Sequence, residues 1–236
     1  DKVAKEFPDT KFSIIDVGWL DNPNMRQYVF KEHEGSFLVG ALAAMASKTG
    51  KVSFVGGQDV PIIKKFACGY VQGAKAVNSK IEVFQNMTGD TPAAWNDPAK
   101  GSELAKSQFD RGSDVVFAAA GGTGAGVYQA AADSGKLAIG VDSNQNHMQP
   151  GTMLTSMLKR VDLAAYQTFM DVKNGNFTSG VAVLGLAEEG VGWALDEHNE
   201  SLITDVMKST IKGLAKKVVD GDIKVHDYLS DNNCPS

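Results

Sequence analysis

Apolar residues recur along this chain in short continuous runs, separated by longer stretches with helical periodicity. Lys11 to Val17 carries Phe12, Ile14 and Ile15 and reads as a strand, followed by a polar loop rich in Asp and Asn. Glu34 to Lys48, dense in Ala and Leu and closed by Gly50, reads as a helix. Val52 to Gly56 is a short buried strand, and Pro61 to Val77 a helix with proline in its first turn. Ile81 to Gln85 is a strand and Met87 to Asn96 a loop. Asp97 as N-cap and Pro98 at the first position open a helix that runs to about Arg111. Val115 to Ala120 is a strand, Gly124 to Ser134 a helix and Ala138 to Asp142 a strand. The four strand-like runs between 52 and 142 thus alternate with three helices, which predicts a parallel sheet with helices on both faces. Their continuous apolar character, without alternation, fits strands covered on both sides.

Beyond Asp142 the regularity breaks. Met153 to Lys159 reads as a connecting strand and Asp162 to Asn174 as a helix. Val181 to Leu186 and Val191 to Leu195 read as short strands around a Gly-bearing turn. A long helix from Glu200 to about Asp220 precedes a polar tail. A chain that leaves a doubly wound unit and later adds strands and helices suggests a second lobe, visited more than once.

Composition narrows the function classes. The 236 residues suit one large α/β domain or two small lobes, and 43% hydrophobic with 22% charged residues is ordinary for a folded protein. A net charge of −5 with no basic block speaks against nucleic acid as a partner. The apolar stretch Phe37 to Ala46 is too short to span a bilayer. The chain opens on the polar run Asp1 to Glu6, so either an export signal has been removed or the sequence is a piece cut from a longer protein. Cys68 and Cys234 are far apart and show no metal-ligand spacing; a disulfide and two independent thiols are equally compatible with the sequence.

In open parallel sheets, ligands bind beyond the carboxyl ends of the strands. Four consecutive strand ends here offer Gly56-Gly57-Gln58-Asp59, the loop holding Trp95, Gly121-Gly122-Thr123-Gly124, and Asp142. Bare backbone, an aromatic face and a carboxylate suit an uncharged, hydroxylated, partly aromatic ligand: the indole stacks on a flat ring and the carboxylate accepts from sugar hydroxyls. Lys159 follows an apolar segment and can donate to a sugar oxygen. Each has a plain structural alternative: Trp95 packing on a helix end, the Gly121 and Gly122 cluster allowing a tight turn, Asp142 capping the next turn, Lys159 lying at the surface. The Gly121 cluster lacks the G-x-G-x-x-G spacing and any Gly-Lys-Ser/Thr, so neither a dinucleotide nor a phosphate loop is read there. His33, His147, His198 and His226 are scattered, no G-x-S-x-G elbow is present, and Glu188-Glu189 reads as a solvated turn. No catalytic residue, metal or cofactor is therefore expected.

At these residues the sequence resembles a known family. Phe30-Lys31-Glu32-His33-Glu34-Gly35-Ser36-Phe37-Leu38-Val39-Gly40 resembles the F-K-x-x-E-G-S-F-L-x-G segment of the basic membrane protein (Bmp, or PnrA-like) lipoproteins, substrate-binding proteins of ABC transporters. Gly56-Gly57 with Pro61, Phe66, Gly69 and Tyr70, then Asn96 to Gly101, Ala120 to Gly124, Ile139 to Ser143, Ser156 to Asp162 and Gly190 to Gly192 continue the match in order along nearly the whole chain. The resemblance implies a type I periplasmic-binding-protein fold: two Rossmann-like lobes joined by three crossovers, closing by a hinge on a ligand in the cleft. It implies lobe boundaries of 1–33 and 158–183 for one lobe, and 34–157 and 184–236 for the other. It further implies a purine nucleoside as ligand, with Trp95 stacking on the base, Asp142 and Lys159 holding the ribose, Asp16 near the base edge, and Gly121 and Gly122 giving backbone contacts. An ABC permease as membrane partner, a monomeric state, a lipid anchor and a location in the periplasm or on the outer face of the cytoplasmic membrane follow likewise. Family members open on a strand and an Asp-x-x-Phe-Asn loop whose Phe faces the base. The first lobe is accordingly expected to lack its first strand–helix unit, and the aromatic sandwich its second half. The competing readings are a nucleoside- or sugar-processing enzyme using Asp142 or Asp16 as base, and a ligand-sensing regulatory domain.

Overall fold

The computed structural model describes residues 1–235. Its strands are β1 (Phe12–Ile15), β2 (Met25–Phe30), β3 (Lys51–Gln58), β4 (Glu82–Gly89), β5 (Val115–Ala119), β6 (Leu137–Asp142), β7 (Met153–Lys159), β8 (Gly180–Leu184) and β9 (Val191–Trp193). Its α-helices are α1 (Lys2–Glu6), α2 (Glu32–Ala46), α3 (Pro61–Val77), α4 (Pro98–Asp110), α5 (Gly124–Asp133), α6 (Val161–Lys173) and α7 (Asp205–Val219). The strands form two sheets, one ordered β1-β2-β8 and one β4-β3-β5-β6-β7-β9. All pairings are parallel except that of β9, which runs antiparallel to β7.

The larger sheet has helices on both faces, as the apolar runs require. Along β5, Val115, Phe117 and Ala119 join one core with residues of α2 and α3, while Val116 and Ala118 join a second core with Ala105, Phe109, Val127 and Tyr128 of α4 and α5. Phe54 and Phe117 meet edge-to-face at 5.4 Å between ring centres, with Tyr70 5.4 Å from Phe117. Helices α2 and α3 touch backbone to backbone at three glycines. A methyl group at Gly40 would lie 2.1 Å from the Tyr70 carbonyl oxygen, at Gly69 2.3 Å from that of His33, and at Gly73 1.9 Å from that of Phe37.

The smaller sheet departs from the sequence-based expectation. The segment read as an Asp- and Asn-rich loop contains β2, the central strand, and its burial is nearly complete. The two polar residues that disguise it are paired inside the protein. Arg26 donates to the Thr178 carbonyl at 2.8 Å and pairs with Asp171, and Gln27 exchanges two hydrogen bonds with the Leu20 backbone, both 2.7 Å. Two further boundaries move, and one pair of strands separates. β4 runs to Gly89, so the loop before Trp95 is shorter than predicted and ends in a 3-10 turn, Pro92–Trp95. The last long helix starts at Asp205, where the Thr204 hydroxyl accepts from Met207 N at 3.2 Å. β8 and β9 part to different sheets.

The chain crosses between the sheets three times: after Phe30, after Lys159 and between Leu184 and Val191. Lys31 N donates to Leu184 O at 3.0 Å, Arg160 N to Gly190 O at 2.8 Å, and Leu186 N to the Glu34 carboxylate at 2.8 Å, so the crossings brace one another. The two cysteines left open by the sequence form a Cys68–Cys234 disulfide that pins the C-terminal tail to α3.

Candidate functional site

The strand order β4-β3-β5-β6-β7 reverses direction between β3 and β5, the point where doubly wound sheets open a crevice at their carboxyl ends. A cavity of about 260 Å³ lies there, lined by Asp16, Ile62, Ile63, Phe66, Trp95, Ala119, Ala120, Gly121, Val141, Asp142 and Lys159. Five of the six residues singled out from the sequence therefore meet in one cavity. Gly122 is absent from its lining and instead approaches the Trp95–Asn96 backbone.

Each side chain is placed by its local backbone. The Trp95 ring lies against Gly57 at the end of β3: a methyl group on Gly57 would come within 2.4 Å of it. The indole N–H donates to Gln58 Oε1 at 3.3 Å, fixing the ring's direction. Asp16 and Asp142, each at the carboxyl end of a strand, have φ of 62° and 65°. Among the described residues only two other non-glycine residues, Glu189 and Asn232, have positive φ. Strained backbone of this kind persists where the surroundings impose it, and it clusters at binding sites.

Lys159, buried at the end of β7, connects the two sheets electrostatically. Its ammonium donates to both Asp16 oxygens, at 2.6 and 2.7 Å, and lies 3.0 Å from Glu32 Oε1. Burial alone would lower its pKa, but Glu32 and Asp16 override that and hold it above the usual lysine value. Asp142 keeps contact with solvent at the cavity mouth yet is crowded by protein on most sides. Burial raises its pKa above the usual carboxylate value, Lys159 pulls it down, and Asp16 and Glu32 push it up again. The site is thus a hydrophobic floor under an aromatic face, rimmed by a lysine and two carboxylates.

Sequence reasoning missed the residues behind Lys159. Glu32, at 1% exposure, lies between two ammoniums: Lys159 at 3.0 Å and Lys65 at 2.9 Å. These are ion pairs by distance, without aligned hydrogen bonds to Glu32. Lys65 also donates to Phe30 O at 2.7 Å and sits 3.5 Å from Asp227. A signal for Lys65 existed: it shares a helical face with Cys68, Gly69 and Gln72 and stands beside the core residue Phe66. A second cavity of about 510 Å³ adjoins, sharing Asp16 and Ile62 and reaching Glu32, His33, Lys65 and Asp227. The cluster with metal-like proximity among the described residues, Asp196-Glu197-His198, lies elsewhere. Asp196 already accepts from Asn144, Asn146 and the His198 amide.

The profile of the PnrA-like ABC transporter substrate-binding proteins (Bmp) matches residues 1–227. The chain belongs to the PnrA-like family. Among similar proteins, the CD4+ T-cell-stimulating antigen of Listeria monocytogenes is 36% identical over 242 residues, covering 95% of this chain and 66% of that protein. The ABC transporter nucleoside-binding protein BmpA of Lactococcus lactis is 32% identical over 240 residues, covering 94% and 66% respectively. This PnrA-like chain therefore spans just under two thirds of the length of these relatives. Among solved structures, an ABC transporter solute-binding protein of Aeropyrum pernix superposes with a TM-score of 0.82 at 28% identity, over 94% of this chain and 72% of that one. The two-sheet α/β architecture is accordingly that of the type I solute-binding proteins.

Proposed function

We propose that this chain carries the ligand site of an ABC-importer substrate-binding protein, and that the ligand is a purine nucleoside. The observation that carries the reading is the Trp95 ring, backed by Gly57 and facing the same cavity as Asp142 and Lys159. A flat base stacks on the indole, worth roughly 1–3 kcal/mol. Asp142 accepts two ribose hydroxyls, and Lys159, held between Asp16 and Glu32, donates to a ribose oxygen. Asp16 accepts from the base edge, and Gly121 supplies backbone to the ring. The cavity volume falls just below the about 300 Å³ where small-molecule sites begin, fitting a compact ligand. The nucleoside-binding name of the Lactococcus lactis relative supports the same ligand class.

The mechanism follows from the two sheets. We assign 1–31 and 160–184 to one lobe and 32–159 with 185–236 to the other, boundaries one or two residues from those expected from the sequence because β7 runs to Lys159 and β8 to Leu184. A ligand contacting Asp142 on one and Asp16 on the other favours the closed arrangement. A permease then reads closure through both lobe surfaces, and the chain itself performs no chemistry. The disulfide supports a place outside the cytoplasm, where such bonds persist. The test is calorimetric titration of the full-length protein with guanosine, adenosine, inosine and the free bases, beside Trp95→Ala, with product analysis. Saturable binding of intact nucleoside, weakened roughly tenfold or more in the variant, is the expected result. Failure of every nucleoside to bind removes the ligand assignment, and turnover removes the receptor role.

A further inference from the structure

Behind the cavity, opposite charges alternate in an unbroken series: Asp16, Lys159, Glu32, Lys65, Asp227. The three middle members are almost wholly buried, whereas Asp16 and Asp227 at the ends are partly exposed. Asp16 directly follows β1 of the smaller sheet, and Asp227 belongs to the polar tail that follows α7. Buried ammoniums need anionic partners, and Lys65 and Lys159 share one, Glu32. Asp227 is the second carboxylate available to Lys65. Without it, Glu32 alone would balance Lys65, and its hold on Lys159 would slacken.

The tail that supplies Asp227 has little structure of its own: one 3-10 turn, Tyr228–Ser230, within 220–235. Ile223 and Val225 pack its first half on the core, and two attachments to α3 hold the rest. The Gln72 side chain accepts from His226 N at 2.8 Å and donates to His226 O at 3.0 Å. Cys68, one turn before Gln72, is bonded to Cys234. Lys65, Cys68 and Gln72 share one face of α3, so both clips and the lysine present themselves to the same stretch of tail. The attachments bracket Asp227, at 226 and 234.

We propose that the C-terminal segment is a strap, locked by the Cys68–Cys234 bond, that delivers Asp227 to Lys65 and thereby positions Lys159 for ligand. Asp227 is a positioning residue acting through Lys65 and Glu32, and the disulfide sets how firmly it acts. Reduction frees the tail end, loosens Asp227 and weakens binding at a cavity the bond does not touch. The groups facing this chain are Asp16, Glu32, His33, Lys65, Asp142, Lys159 and Asp227.

The proposal rests on the cavity being the ligand site, and its test separates the two. Guanosine affinity is measured for the full-length protein and its Asp227→Asn, Asp227→Glu and Cys234→Ser variants, for the Asp227→Asn/Cys234→Ser pair, and for the unmodified protein under a phosphine reductant. Each of Asp227→Asn, Cys234→Ser and reduction weakens binding roughly 3- to 10-fold, the pair no more than either single change, and Asp227→Glu retains most affinity. In parallel, carboxyl-carbon NMR follows the titration of Asp142 without ligand. Removing the Asp227 charge leaves the lysines less neutralised, so Asp142 ionises at lower pH in Asp227→Asn and in reduced protein. Additive losses in the pair, or an unmoved Asp142 titration, overturn the strap. If guanosine fails to bind even the unmodified protein, the ligand assignment falls, and the NMR titration still decides the strap.

Discussion

A carboxylate at the tip of a strand turns into a cavity only if its backbone leaves the extended region, and Asp142 does so with a φ of 65°. Asparagine tolerates that conformation nearly as well and removes the charge that burial disfavours. The sign of the effect follows from the raised folded-state pKa. Stability from this group is fully present below its unfolded value near 3.8 and is lost as pH rises through the folded value, so at pH 7 the ionised group opposes folding. Asp142→Asn is expected to raise the melting temperature at pH 7 slightly, since solvent at the cavity mouth screens the cost. It is also expected to weaken guanosine binding roughly tenfold or more, the loss of a hydrogen bond to a charged group. Calorimetry of both quantities checks the pair; a stability loss would mean that the carboxylate is holding the loop together. Gly57→Ala acts on the other half of the site. The added methyl displaces the indole, so the Trp95 emission shifts and affinity falls by roughly 1 kcal/mol or more, while global stability changes little. Trp95, Asp142 and Lys159 could be singled out because strand ends can be located and their residue types name a chemistry, whereas Asp16 came only from the family resemblance. Glu32 and Asp227 were not: each sits in a run of charged or polar residues that reads as solvated, and only the fold turns them inward.

At the level of elements, legibility followed burial pattern. β5 is wholly apolar and β3 and β6 mostly so because helices cover both faces, and their limits came out within a residue or two. β2 was lost because Arg26 and Gln27 are polar where the pattern demands apolar, and nothing local shows that Asp171, Thr178 and Leu20 satisfy them. Long-range pairing of this kind is invisible to periodicity. Helix packing carries the same lesson in reverse. Gly40, Gly69 and Gly73 look like weak points in α2 and α3, since glycine costs roughly 1 kcal/mol within a helix. Their role is to bring two helix backbones into contact, and the Phe37 carbonyl leaves no room for a side chain at position 73. Gly73→Ala is therefore expected to destabilise the protein by about 2–3 kcal/mol, against the helix propensity of alanine, lowering the melting temperature by roughly 4–12 °C. Thermal unfolding followed by circular dichroism reads this directly, and an unchanged or raised midpoint would mean that the two helices separate at no cost.

On the scale of the molecule, two sheets meet where the chain crosses between them, and the crossings carry both the site and its buried charges. Glu32 heads α2 at the first crossing, Lys159 ends β7 at the second, and Glu34 accepts from Leu186 N at the third. A ligand that moves one sheet against the other must work at these residues, so stability and binding draw on one charge set. The pH dependence of unfolding exposes that set through His33, the second residue of α2. Burial lowers its pKa below 6.5, although Asp227, 3.8 Å from Nδ1, pulls the other way. A histidine depressed in the folded state contributes stability that is present above pH 6.5 and is lost as pH falls through the folded value, because the unfolded chain takes up the proton first. The slope is at most about 1.4 kcal/mol per pH unit for one proton. Urea midpoints of the unmodified protein are accordingly expected to fall between pH 7.5 and 5, and those of His33→Gln to fall less. Asp142, with its raised pKa, titrates with the opposite sign, so Asp142→Asn is expected to leave the fall at least as steep. If His33→Gln keeps the full slope, the acid-sensitive group lies elsewhere, and the crossing region is not where pH reaches the fold.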